Sequence, residues 1–105
     1  MYKGITPTFT FTLPEDVNLS NASSVYVTFA DYYGKELLTK TGNEIEVSGN
    51  VVNVYLTQDE TLGFPTGTVN AQINWTYAED GKTKRACSDI VRAFFAKNLQ
   101  NKVLE

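Results

Sequence analysis

Histidine is absent from this chain of 105 residues, and cysteine occurs once, at Cys87. The first absence removes the Ser-His-Asp triad, the Cys-His pair, His-ligated zinc and the commonest general base. The second excludes an internal disulfide and a thiolate metal site, so the fold must be held by burial alone. With no histidine to activate it, Cys87 reads as a small, inert, buried hydrophobe. A large charge excess is also missing: 9 basic against 12 acidic residues give a net charge of −3, with no footprint for nucleic acid. Lys82, Lys84 and Arg85 do cluster, but beside Glu79 and Asp80 at a turn, where a solvated hairpin tip is the expectation. The start MYKGITPTFTF holds no apolar run of signal-peptide or membrane-spanning length, which predicts synthesis and first residence in the cytoplasm and no membrane partner.

What the chain does have is alternation. From Thr68 to Tyr77, residues Val69, Ala71, Ile73, Trp75 and Tyr77 share one face, and Thr68, Asn70, Gln72, Asn74 and Thr76 share the other. A period of two marks a half-buried antiparallel strand. Similar stretches run along Thr6 to Leu13, Ser24 to Ala30, Glu44 to Ser48 and Val52 to Leu56, and a less regular one along Lys35 to Thr41. The adjacent Leu37 and Leu38 leave the register of that last stretch open. Gly49 with Asn50 reads as a tight hairpin turn, and Glu79, Asp80 and Gly81 as a second hairpin turn. Thr57 followed by Glu60 has capping-box spacing and predicts one helical turn through Thr61 to Gly63. Lys82 to Phe95 reads as the final strand. Its adjacent Ile90 with Val91, and Phe94 with Phe95, cannot all face one way, so a bulge is expected near Ser88 or Asp89.

About seven strands with regular turn spacing predict an all-β fold, an immunoglobulin-like antiparallel β-sandwich spanning residues 1–95, followed by a short tail over 96–105. A five-stranded OB barrel is the alternative, but outward faces of Thr, Asn and Gln do not make its usual basic, aromatic groove. Phe9, Phe11, Val25, Val27, Phe29, Ile45, Val47, Val52, Val54, Leu56, Val69, Ala71, Ile73 and Trp75 are the expected continuous core. Leu104 and Glu105 read as a cloning remnant.

Candidate chemistry is sparse. Glu15 with Asp16, Asp59 with Glu60, Glu79 with Asp80, and Glu44 with Glu46 lie at turns, a helix start or an exposed strand face, where solvated carboxylates are expected. No nucleophile, base and orienting group can be assembled from the residues present, so no catalytic residue, metal or cofactor is expected. Trp75 and Tyr77 share the face of Ile73 and read as core. Tyr32, Tyr33 and Tyr55 stand open between packing and an exposed platform for sugar rings or partner proteins. One of Phe94 and Phe95 must leave the main core. An outward Phe94 beside Ala96 and Leu99 is then either an interface or covered by the tail from Ala96 to Val103. Asn18, Asn21 and Asn74 start formal glycosylation sequons that, without an export signal, are read as chance.

The segments GITPTFTFTLP, VYVTFA, NVYLTQDETLGF, GTVNAQI and CSDIV follow in an order that resembles small proteins of the tail and baseplate modules of phages and prophages of Gram-positive bacteria. The arrangement is similar to the immunoglobulin-like N-terminal domain of phage baseplate upper proteins. Ala93 and Phe94 depart from it where that family tends to have Val or Ser. The resemblance implies a virion or virion-assembly component and carries over no functional residue; the leading reading is a non-enzymatic structural or interaction protein of the particle that docks through a sandwich face or an edge strand. Its partners would be other virion proteins or further copies of itself. A glycan-binding adhesin module using Tyr32, Tyr33 and Tyr55 on a cell-surface glycan is the alternative. Phe94, Tyr32, Tyr33 and Tyr55 are therefore the candidate interaction residues.

Overall fold

In the computed structural model, which describes residues 1–104, the alternating stretches become antiparallel strand pairs. The elements are β1 (Thr8–Thr12), β2 (Ser24–Ala30), β3 (Glu36–Thr41), β4 (Ile45–Ser48), β5 (Val51–Tyr55), α1 (Gln58–Leu62), β6 (Gly67–Glu79), β7 (Lys82–Cys87) and β8 (Val91–Phe95). One sheet has the order β1-β5-β4; the other runs β3-β2-β6-β7, with β8 also paired to β6. The fold is the expected all-β sandwich. In immunoglobulin lettering the first sheet is B-E-D and the second C′-C-F-G, with β7 and β8 as two halves of strand G. Among the described residues, no strand takes the place of A beside β1.

The turns follow from their residues. Ser48 pairs with Val51 across Gly49 and Asn50, and Gly49 has φ +60°. Glu79 pairs with Lys82 across Asp80 and Gly81, at φ +52° and +73°, which is the two-residue turn whose twist suits a hairpin. Thr57 caps α1 as its spacing predicts: the Glu60 amide donates to Thr57 Oγ1, and the Thr57 amide donates to Glu60 Oε1.

The expected bulge sits at Ser88. Ile73 pairs there with a side chain as well as a backbone: the Ser88 amide donates to Ile73 O at 2.8 Å, and the Ile73 amide donates to Ser88 Oγ at 3.0 Å. Asn74 faces Cys87 while Ala71 faces Val91, so the returning strand carries one residue more than its partner. That extra residue reverses parity. Even-numbered Ala86 points inward before the bulge, and odd-numbered Ala93 and Phe95 point inward after it.

The core between the sheets holds Phe11, Leu13, Val27, Phe29, Val52, Val54, Leu56, Val69, Ala71, Ile73 and Phe95, with Leu19 and Phe64 contributed by connections. Phe9, Val25, Ile45 and Trp75 are partly buried against it, so nearly all the expected core is present. Val47 departs: it lies on the edge strand β4, with β5 as its one strand neighbour, and is 37% exposed. The register of β3 sets Leu38 opposite Phe29 and Lys40 opposite Val27, so Lys40 is the inward residue and is buried.

Candidate interaction surfaces

The open side of the sandwich lies between β1 and the β7–β8 strand. A groove of about 470 Å³ runs there, walled by Phe9, Phe11, Leu13, Trp75, Ser88 and Val91. Both of its rims are edge strands. The Leu56 amide donates to Pro7 O and the Leu13 amide to Asn50 O, which fixes the odd-numbered positions of β1 as those bonded to β5. In an antiparallel ladder the alternate residues then point their backbone groups the other way, so Thr8, Thr10 and Thr12 turn their N–H and C=O groups away from β5, and Thr10 and Thr12 do so along the groove. On β8 the Phe94 carbonyl already accepts from the N-terminal ammonium of Met1 at 2.8 Å, outside the β6 ladder. Arg92, two residues earlier, has its backbone groups on that same outer edge. Residues 1–3 cover only the far end of β8, through a parallel bridge between Tyr2 and Ala96.

Phe94 faces outward opposite Thr68 and is 62% exposed, whereas Phe95 is fully buried; the parity reversal at Ser88 decides which of the two leaves the core. The tail does not cover it. Asn98 donates to Lys3 O, Gln58 and Leu104 exchange two hydrogen bonds over α1, and Leu99 is fully exposed. Tyr32 and Tyr33 stack edge to face in the β2–β3 turn, with ring centroids 5.3 Å apart, and both are exposed. Asn70 ties this turn to β6 by donating to Asp31 O at 3.1 Å, and it stands opposite Arg92 in the ladder. Its Oδ1 is buried without a hydrogen-bond partner among the described residues. The turn and the β8 aromatic therefore share one end of the larger sheet. Tyr2, which the sequence did not single out, joins them through its bridge to Ala96 and is exposed.

Tyr55 is elsewhere. It lies at the end of β5 on the outer face of the smaller sheet, 53% exposed, in an open groove of about 710 Å³ with Thr8, Asn43, Glu44, Glu46 and Asn53. Lys40 reaches this groove too, but its ammonium is held by Glu60 at 2.8 Å. Partial burial pushes the Glu60 carboxyl up. Hydrogen bonds from Lys40 and from the Thr57 amide, the Lys40 charge and the Thr57 hydroxyl outweigh this and hold it below the usual carboxylate value of 4.5. The three tyrosines thus form two separate surfaces, and the structure does not bring them together as one platform.

Besides Val47, two expectations need correction. Cys87 is exposed, because β7 places its even-numbered residues inward and Cys87 falls opposite outward-facing Asn74. Glu60 is not a solvated carboxylate but a half-buried partner of Lys40, a contact invisible while the register of β3 was open. Asp59, Glu15, Asp16, Glu44, Glu46, Glu79 and Asp80 are exposed as expected, and so are Lys82, Lys84 and Arg85. Trp75 and Tyr77 are half-buried, with Trp75 against the core. Comparison with family models, with curated proteins and with solved structures gave no match.

Proposed function

We propose that this chain is a non-enzymatic interaction protein of a phage or prophage tail or baseplate. In this reading it docks through its open lateral edge onto another virion protein or a further copy of itself. The observation that carries the reading is the groove between β1 and β8, where an immunoglobulin sandwich has strand A: among the described residues the β1 edge has no strand partner, the β8 edge is met by residues 1–3 only at its far end, and the floor between them is largely apolar. An extended segment fits such a place by strand addition: its backbone bonds the outward groups of Thr10 and Thr12, and alternate apolar side chains enter over Phe11 and Trp75. The exposed Phe94, Tyr32, Tyr33 and Tyr2 at one end of the larger sheet are of the types enriched at interfaces and extend the surface beyond the groove. The order of sequence segments resembling tail and baseplate proteins supplies the setting. Mass spectrometry of purified tailed particles from cells that produce this chain tests the reading. The chain is expected at a fixed ratio to the tail proteins; particles that lack it would remove the virion role.

A further inference from the structure

We propose that the groove beside Tyr55, on the outer face of the smaller sheet, is a binding site for a neutral saccharide ring. This site is separate from the lateral edge, and neither reading depends on the other. Tyr55 is 53% exposed at the groove wall, and a partly exposed tyrosine offers an apolar surface for the C–H face of a sugar. The polar groups around it are already oriented by the fold. Thr10 Oγ1 donates to Asn53 Oδ1 at 2.7 Å, which fixes the Asn53 amide oxygen and leaves its nitrogen without a hydrogen-bond acceptor among the described residues. Glu44 Oε1 accepts from the Thr41 amide at 3.2 Å, which fixes the carboxylate and leaves its second oxygen open. Glu46, opposite Asn53, makes no ion pair among the described residues.

One platform, one oriented donor and two acceptors in about 710 Å³ match the donors and acceptors of ring hydroxyls. Charge selects the class. Lys40 is neutralised by Glu60, so Glu44 and Glu46 set the sign of the groove. They repel phosphate and carboxylate, whereas neutral hydroxyls donate to them in charge-assisted hydrogen bonds.

Titration of the isotope-labelled chain with glucose, galactose and N-acetylglucosamine, followed by amide NMR, tests the site, with glucose 6-phosphate and choline as contrasting probes. At least one neutral sugar is expected to bind in the millimolar range, about −4 kcal/mol, with shifts confined to β4, β5 and Thr8. Tyr55→Ala should weaken that binding about tenfold or more, whereas Tyr55→Phe, which keeps the ring face, and Tyr33→Ala should leave it within about twofold. Glucose 6-phosphate should bind more weakly than glucose. Absence of shifts with every neutral sugar, shifts at Tyr32 and Tyr33 instead, or preference for the phosphate or for choline would overturn the proposal. Because Tyr55 is outward-facing, an unchanged amide spectrum of Tyr55→Ala without ligand separates lost binding from lost folding.

Discussion

Lys40 shows how one side chain follows from a register. Its position opposite Val27 turns it inward, and its ammonium is satisfied among the described residues by Glu60 alone, the same carboxylate that closes the cap of α1. Removing one member of a buried pair strands the other, so Lys40→Ala should cost about 2–3 kcal/mol in chemical denaturation, while the double change Lys40→Met with Glu60→Gln should be near neutral. The sign with pH follows from the lowered Glu60 carboxyl. Its contribution is complete above the unfolded value of 4.5 and is lost as pH falls through the lower folded value. Glu60→Gln, which can still accept from the Thr57 amide, should therefore flatten the acid side of the stability profile in that window and leave its slope at neutral pH unchanged. Nothing local in the sequence marks this pair, because residues 40 and 60 meet only once two strands and a helix are placed. Cys87 is the opposite case. The absence of histidine spoke to its reactivity, but its burial depended on strand parity. A thiol reagent should label the folded protein at about the rate of a free model thiol, and Cys87→Ser should leave the denaturation midpoint unmoved; protection in the native state would contradict the parity assigned to β7.

The strands that could be read from the sequence are those with undisturbed alternation. Val25, Val27 and Phe29, and Val69, Ala71 and Ile73, face inward as read because burial of one face leaves a period of two. The bulge was legible for a related reason: Phe94 beside Phe95 is incompatible with one continuous ladder. Which of them faces out was not legible, since that depends on the side of Ser88 where the extra residue falls. Ser88 does more than mark the site. Its hydroxyl accepts from the Ile73 amide, which otherwise has no backbone acceptor opposite it, so Ser88→Ala should cost about 1–3 kcal/mol, whereas Ser20→Ala, on an exposed turn, should cost little. The cap of α1 was legible because a capping box is local; Thr57→Ala should cost about 1 kcal/mol. Phe64 and Leu19 were missed as core because they sit in connections, where no periodicity announces burial.

For the molecule as a whole, two sheets close over Phe29, which is 1% exposed and touches aromatic neighbours on both sides: Phe9 at 5.7 Å and Phe64 at 5.8 Å between centroids. Phe29→Ala should lower stability by about 3–5 kcal/mol, a large share of what a domain of this size has. The sandwich class was legible in strand number and spacing. The vacancy beside β1 was not, because a missing strand leaves no pattern, and only the pairing order reveals that, among the described residues, β1 ends as an edge strand and β8 as one met only at its far end by residues 1–3. Docking through that edge has a direct test at Thr12, an exposed residue of β1 whose backbone N–H points away from β5. Proline there removes no hydrogen bond of the free protein but blocks an added strand. The measurement is the amount of Thr12→Pro chain in purified tailed particles relative to wild type, alongside thermal unfolding of both proteins. The account predicts a variant that melts within a few degrees of wild type yet is depleted from the particles; incorporation at the wild-type level would contradict docking through the β1 edge.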